Sequence, residues 1–381
     1  MAEHVDLAEP RAVHIVGIGG AGMSAIATVL AAMGHRVSGS DLKSSAGLER
    51  LRALGIDIHV GHHAGNLGAA DLVAVSTAIP VTNVEVAAAV SRGIPVLRRA
   101  QVLAAITGLR RTIAVAGTHG KTTTSSMLAL ALREAGVRPS FIIGGELNEI
   151  GTGATWDAGE LFVVEADESD GTFLELAADA AVVTSIEPDH LEHYGGFEPL
   201  RLAFEQFVSS CPGPRVLCAD DAECAALAAR LRARGVDVTT YGTSDTADYR
   251  MVDVSRSRSG TTASIRRGGT PIADLRVPLP GLHNARNALA ALAMTRELGV
   301  PTAPVIAALA RFAGVARRFE YRGEIDGITF VDEYSHLPTE VAAAIDAARD
   351  GDWSRIVCVF QPHRYSRTET LWQTFADAFE G

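Results

Sequence analysis

Between residues 112 and 124 the chain reads TIAVAGTHGKTTT: a β-type apolar run, two glycines, a lysine and a cluster of threonines. That order makes a phosphate cradle. Gly117 and Gly120 let the backbone curl so that successive N–H groups point inward, and the helix opened by the threonines presents its positive end to an anion. Lys121 would reach the outer phosphates of a nucleotide and Thr122 would hold Mg²⁺, with Thr118, His119 and Thr123 completing the loop. The spacing is shorter than G-x-x-x-x-G-K-[ST], because Val115 stands where that pattern wants its first glycine. Acids follow at the right kind of place. The apolar run Leu161 to Val164 delivers Glu165, Asp167, Glu168 and Asp170 at its C-terminal end, and in an open parallel sheet the ligand crevice lies there. Glu165, directly at the strand end, suits a metal, whereas Asp170 before Gly171 reads as a turn cap. The next run, AAVVTSI, ends in Glu187, Pro188, Asp189 and His190. A histidine after a strand is usually a turn residue, but His190 arrives at the same sheet edge as Thr122 and Glu165 and joins them as a candidate ligand.

A second glycine loop precedes the first. Val13 to Val16 run into GIGGAG, with Gly17, Gly19 and Gly22 in G-x-G-x-x-G positions, then a helix from Met23 to Met33 and a short strand ending in Asp41. This is a βαβ start of Rossmann type, suited to a diphosphate over the loop and a ribose at Asp41. Alone it does not choose between NAD, FAD and a UDP-sugar. Farther along, Gly281 breaks the chain before an alanine-rich helix with His283, Asn284 and Asn287 on its first turn. Asparagine at a helix start is most often a cap, but a pair at i and i+3 can also share one face and meet a purine edge. Two last apolar runs, ITFVDEYSH and RIVCVFQPHRYSRT, each read as a strand delivering polar residues: Asp332, Tyr334 and His336, then His363, Arg364 and Arg367.

The elements that must position these groups alternate β and α, which predicts an α/β protein with parallel sheets. A chain of 381 residues is long for one core, and three segments are expected: 1–108, 109–316 and 317–381. An antiparallel ribbon is expected between Ala247 and Val277. The net charge of -11 disfavours nucleic acid and anionic membrane as partners, so an anionic substrate must be met by local arginines such as the pairs at 98–99, 110–111 and 317–318. The four cysteines lack C-x-x-C spacing. With no signal-type or membrane-spanning apolar stretch, a cytoplasmic enzyme is the expectation.

Taken in order, GIGGAGMSAIA, AGTHGKTTT, EADESD, EPDHLEHYGG, LHNARNALAA, RRFE, YSHLPTE and FQPHRYSRT resemble the bacterial Mur ligases over essentially the whole chain. Within that family the glycine loop is most similar to the branch that adds L-alanine to UDP-N-acetylmuramate. The resemblance implies three domains: a Rossmann-like domain for the UDP-sugar, a P-loop-type central ATPase domain and a Rossmann-like C-terminal domain, here incomplete. It implies ATP and Mg²⁺, UDP-N-acetylmuramate and L-alanine, and a monomer or weak homodimer. The sugar's carboxylate would attack the γ-phosphate, and the amine of alanine would attack the resulting acyl phosphate. Carried over by position, the catalytic group would be Lys121, Glu165, His190 and Arg318, with Thr122 and Glu165 on one Mg²⁺ and His190 on a second. Asn284 and Asn287 would meet adenine, Asp332 the ATP ribose, and Arg318 the γ-phosphate. Gly19, Ala21, Gly22, Met23 and Ser24 would embrace the UDP diphosphate, with Asp41 near the nucleoside. Tyr334, His336, Arg364 and Arg367 would surround the alanine. The chain departs from the family in having Leu337 after His336, where a second histidine is usual, and in a shorter C-terminal domain, which leads to the expectation of a fragment. Three other readings stay open: a murein tripeptide ligase, a nucleotide-dependent dehydrogenase resting on the first glycine loop, and a non-catalytic module binding ATP and a UDP-sugar.

Overall fold

The structure is a computed structural model that describes residues 5–380. Short β-branched runs make its first sheet, five parallel strands in the spatial order Asp57–Val60, Arg36–Asp41, Ala12–Val16, Leu72–Val75 and Val96–Arg98. Ala12–Val16 is completely buried and lies in the middle. The glycine loop leaves its C-terminal end, and the helix that follows spans Ala21–Ala32. Gly17, at φ +80°, lets the chain turn back so that the N–H groups of Gly17 and Ile18 both reach the carbonyl of Ser40, at 2.9 and 3.1 Å.

The second sheet has ten strands and repeats that logic at its centre. Arg111–Ala116 lies between Leu161–Glu165 and Ala180–Val183, parallel to both, with Val115 opposite Glu165 and Ala116 opposite Val183. Three strand ends therefore open on one crevice, which is where α/β sheets hold ligands. The helix Lys121–Glu134 starts in that crevice, and its residues 122–132 are all buried. Burying Met127, Leu128 and Leu132 contributes roughly 1.5–3 kcal/mol each, so packing rather than propensity holds the helix start over the sheet. The alanine-rich helix Leu282–Glu297 packs beside it. The expected ribbon is a three-stranded antiparallel meander, Tyr249–Ser257, Gly260–Arg267 and Thr270–Val277, continuing one edge of the sheet.

The C-terminal segment holds a hairpin, Glu320–Ile325 with Ile328–Asp332, and two helices, Pro338–Arg349 and Tyr365–Ala378. One expectation fails here. Residues 355–360, read as a strand from RIVCVF, join no sheet, and Val357 and Val359 are 68% and 94% exposed. A β-forming run becomes a strand only where a neighbour shares its hydrogen bonds, and among the described residues the one sheet of this segment is the antiparallel hairpin. A small apolar cluster of Val341, Phe375 and Ala378, flanked by Ile345, Phe360 and Leu371, joins the two helices. No helix among the described residues is long and apolar enough to cross a membrane.

Candidate active site

The phosphate loop is wedged so tightly that its glycines have no substitutes. A β-carbon on Gly117, at φ +130°, would collide with the Thr184 side chain and lie 2.9 Å from the backbone nitrogens of Thr184 and Ser185. One on Gly120, at φ +75°, would lie 2.6 Å from the Asn287 Oδ1. Thr118 N–H donates to the Ser185 carbonyl and His119 N–H to the Ser185 hydroxyl, both at 3.0 Å. Lys121 folds back over this loop, donating to the Gly117 carbonyl at 2.6 Å and to both Glu168 oxygens at 2.9 and 2.8 Å. Burial alone would lower the lysine pKa, but the charges of Glu168, Asp167 and Glu165 outweigh it and hold the ammonium above its ordinary value. The Thr122 hydroxyl donates to Glu165 Oε1 at 3.2 Å, and Glu165 Oε2 accepts the Gly144 N–H at 2.8 Å.

From the loop a cavity of about 290 Å³ runs toward the C-terminal segment, lined among others by Thr122, Thr123, Asn284, Asn287, Arg286 and Arg318. The two asparagines are buried and neither caps the helix: Gly281 is the capping residue, and Asn284 instead donates to the Pro280 carbonyl at 2.8 Å. His283 also lines the cavity, and burial beside Arg286 lowers its pKa to about 4, so it is neutral near pH 7. Arg318 enters the cavity from the C-terminal side, 4.0 Å from Glu333, with its guanidinium 5.5 Å from the Tyr334 ring. Asp332 does not line this cavity; it ends the hairpin, opposite Glu320.

The C-terminal segment is pinned over the crevice by charge. His119 of the phosphate loop lies 3.1 Å from Glu187 and 3.2 Å from Glu340, and Thr339 donates to Glu187 at 2.8 Å. Burial would lower the His119 pKa, but hydrogen bonds and charge from Glu187 and Glu340 push it up to about 9, while Glu340, despite burial, is drawn down to about 2 mainly by His119. His190, in a left-handed backbone conformation at φ +54°, faces Asp189 at 3.1 Å through Nε2 and Arg364 at 3.1 Å through Nδ1. Its pKa is lowered by burial. Arg367, itself buried, pairs with Asp189 at 3.0 Å. Tyr334 is 44% exposed, and His336 lies beside it, 3.3 Å from Glu340.

The first glycine loop is built differently. Gly19 N–H donates to Asp41 Oδ2 at 2.9 Å, so Asp41 closes one side of the loop. The Ser24 hydroxyl donates to the Ala21 carbonyl at 3.0 Å within the first helical turn, and Met23 is buried beneath it. Ser40, which receives the loop's N–H groups on its carbonyl, donates its hydroxyl to the fully buried Glu85 at 2.5 Å. Burial would raise the Glu85 pKa, but hydrogen bonds from His14, Ser40, the His63 N–H and Asn66 hold it at about 2.

Structure thus brings together Lys121, Thr122 and Glu165 around the phosphate loop, Asn284, Asn287 and Arg318 around the cavity, and His190 with Arg364 and Arg367 at the 187–192 turn. It separates Asp332 from the cavity lining. Sequence reasoning left several partners without a role: Glu168 on Lys121, Glu187 and Glu340 on His119, Asp189 on Arg367, and Asp220, which Arg286 meets at 2.6 Å. Asp220 carried a readable signal, since it follows the strand Arg215–Cys218 just as Glu165 ends its own.

With this geometry in view, comparisons with known proteins give the arrangement a lineage. Three family models match in order: "Mur ligase family, catalytic domain" over residues 12–111, "Mur ligase middle domain" over 115–295 and "Mur ligase, glutamate ligase domain" over 317–381. The UDP-N-acetylmuramate--L-alanine ligase of Agrobacterium fabrum is 48% identical over 375 residues, 96% of this chain and 79% of that protein. The enzyme of the same name from Rhizobium meliloti is 47% identical over 382 residues, with the same coverages. A crystal structure of UDP-N-acetylmuramate-alanine ligase from Thermotoga maritima superposes with a TM-score of 0.84 at 32% identity, covering 97% of this chain and 83% of that one. That of the UDP-N-acetylmuramate:L-alanyl-γ-D-glutamyl-meso-diaminopimelate ligase from Neisseria meningitides gives 0.72 at 28%, covering 81% and 100%. Two glycine loops on separate sheets, a third segment docked over the second loop, and identity of this extent across all three place the chain in the Mur ligase family.

Proposed function

We propose that this chain joins L-alanine to UDP-N-acetylmuramate at the expense of ATP, through an acyl phosphate. The observation that carries this reading is the 48% identity, over 96% of the chain, with a ligase named for that reaction. The geometry fits the chemistry. A carboxylate attacking a polyanion needs charge neutralised more than it needs a nucleophile activated. Lys121, already charged and aimed across the loop, exchanges Glu168 for the β- and γ-phosphates. Asn284 and Asn287 meet the adenine. Arg318, at the mouth of the cavity, faces the γ-phosphate. Gly19, Ala21, Gly22, Met23 and Ser24 surround the diphosphate of the sugar nucleotide, with Asp41 toward its nucleoside, and Tyr334, His336, Arg364 and Arg367 line the alanine site.

The Thr122 hydroxyl and Glu165 carboxylate, 3.2 Å apart, are oxygen donors of the kind Mg²⁺ accepts alongside phosphate and water. Among the described residues no three His, Cys, Asp or Glu side chains gather as a metal site. His190, whose Nε2 faces Asp189 and whose Nδ1 faces Arg364, would hold a second ion by exchanging one of these partners. When bound, Mg²⁺ supplies positive charge against the phosphate oxygens.

Phosphate release from ATP, with UDP-N-acetylmuramate and L-alanine, glycine, L-serine or a murein tripeptide supplied separately, tests the proposal. Release that requires both the sugar nucleotide and L-alanine is expected. Release with the tripeptide in place of alanine would reassign the chain to the peptide-recycling branch, and binding of both nucleotides without release would make it a non-catalytic module.

A further inference from the structure

Arg99, one of the arginine pair at 98–99, has no place in the site described above. It opens the helix Arg99–Thr107 directly after the last strand of the first sheet, and so stands at the carboxyl end of that sheet beside the glycine loop. Its Nη1 lies 2.7 Å from where a β-carbon on Gly22 would be, which means that the absence of a side chain at 22 is what admits the guanidinium. Its Nε is buried with no hydrogen-bond partner, and no ion pair involves it among the described residues. Its neighbour Arg98 by contrast is paired with Glu175 of the central domain at 3.5 Å. Buried guanidinium donors are normally satisfied, so an uncommitted one against a glycine loop marks the place of an anion. The charge of Arg99 is also felt across the domain seam, where it helps lower the pKa of Asp167.

Building on the assignment of the sugar nucleotide to this loop, we propose that Arg99 is a binding residue for the diphosphate, gripping it beside the first turn of the helix that follows the loop. A planar fork offers two parallel N–H donors from separate nitrogens, a match to two phosphate oxygens that a single ammonium does not reproduce. Gly22 then serves two purposes: its N–H remains available to the phosphate, and its missing side chain lets the guanidinium approach.

Calorimetric titration of the full chain with UDP, UMP and uridine, for the wild type, Arg99→Ala and Arg99→Lys, tests this. Loss of one charge-assisted contact predicts UDP binding about tenfold to a hundredfold weaker in Arg99→Ala, a smaller loss for UMP and almost none for uridine. Arg99→Lys should fall between, and in turnover the loss should appear in KM for the sugar nucleotide rather than in kcat. Retained ATP binding verifies folding, and should Arg99→Ala not fold, the lysine variant carries the test. Wild-type UDP affinity in either variant, or equal losses for UDP and uridine, overturns the role of Arg99. A wild-type chain that binds ATP but no uridine nucleotide overturns the assignment of the loop itself.

Discussion

The two glycine loops share a plan, a buried parallel strand feeding a helix through a tight turn, yet their cations are partnered differently. Around the phosphate loop the cations that face it are already matched at close range: Lys121 by Glu168, His119 by Glu187 and Glu340, Arg367 by Asp189. Around the first loop the N–H groups of Gly17 and Ile18 are taken by the Ser40 carbonyl and that of Gly19 by Asp41, which leaves the first turn of the following helix to meet an anion, while Arg99 is left with an unmatched buried nitrogen. A triphosphate brings several charges, and matched carboxylates hold the receiving cations in place and charged until it arrives; a buried lysine without them would be driven toward neutrality. A diphosphate is more modest, and dipoles with one guanidinium suffice. The comparison implies that ATP binding proceeds by exchange of partners and sugar-nucleotide binding by addition to a preformed cradle.

The largest effect should come from removing the exchangeable cation. Lys121→Ala is expected to lower turnover by about 10³-fold or more while leaving UDP affinity nearly unchanged; a comparable loss of UDP binding, measured by calorimetry, would break the separation of the two loops. Next comes the cradle. A β-carbon on Gly19 would lie 2.8 Å from Asp41 Oδ2 and 3.4 Å from Leu48, so Gly19→Leu must displace the carboxylate that closes the loop. Overpacking of this kind predicts UDP binding weaker by about tenfold to a hundredfold, with ATP binding retained. The reverse ranking would mean that the loops have exchanged ligands.

How much of this was readable beforehand follows from how local each feature is. The phosphate loop, its β-strand, its helix and Glu165 were legible because strand, glycine, lysine and threonine are consecutive, and because an acid at a strand end needs only the rule that ligands gather there. The glycine loop with Asp41 was legible for the same reason. Glu340 on His119 was not, since the two are brought together only when the C-terminal segment docks, and sequence carries no distance between domains. The role of Leu337 is another such case: it is buried at the start of the helix Pro338–Arg349, so its side chain serves packing where the family usually has a second imidazole. The misread strand at 355–360 shows the converse error, in which β propensity was counted without a neighbour to pair with.

The smallest effect separates the two kinds of matched cation within the phosphate loop. His119 is raised to about 9 from an ordinary 6.5, so its charged contact with Glu187 and Glu340 contributes fully below about pH 6.5 and is lost as pH rises through about 9. Glu340, lowered to about 2 from 4.5, contributes above about pH 4.5 and loses its contribution as pH falls toward 2. The contact that pins the C-terminal helix is therefore strongest between about pH 4.5 and 6.5 and fades between 6.5 and 9. The Lys121 and Glu168 pair does not share the alkaline loss in that range, because the lysine pKa is raised from a value that already lies above it. His119→Gln keeps a hydrogen-bonding side chain and removes the charge, so its thermal midpoint should fall below that of the wild type at pH 6 and approach it by pH 9.5. A difference that stays constant across that range would show that the imidazole acts by packing alone, and the docking of the third domain would then rest on Arg367 and Asp189 rather than on a titrating contact with the phosphate loop.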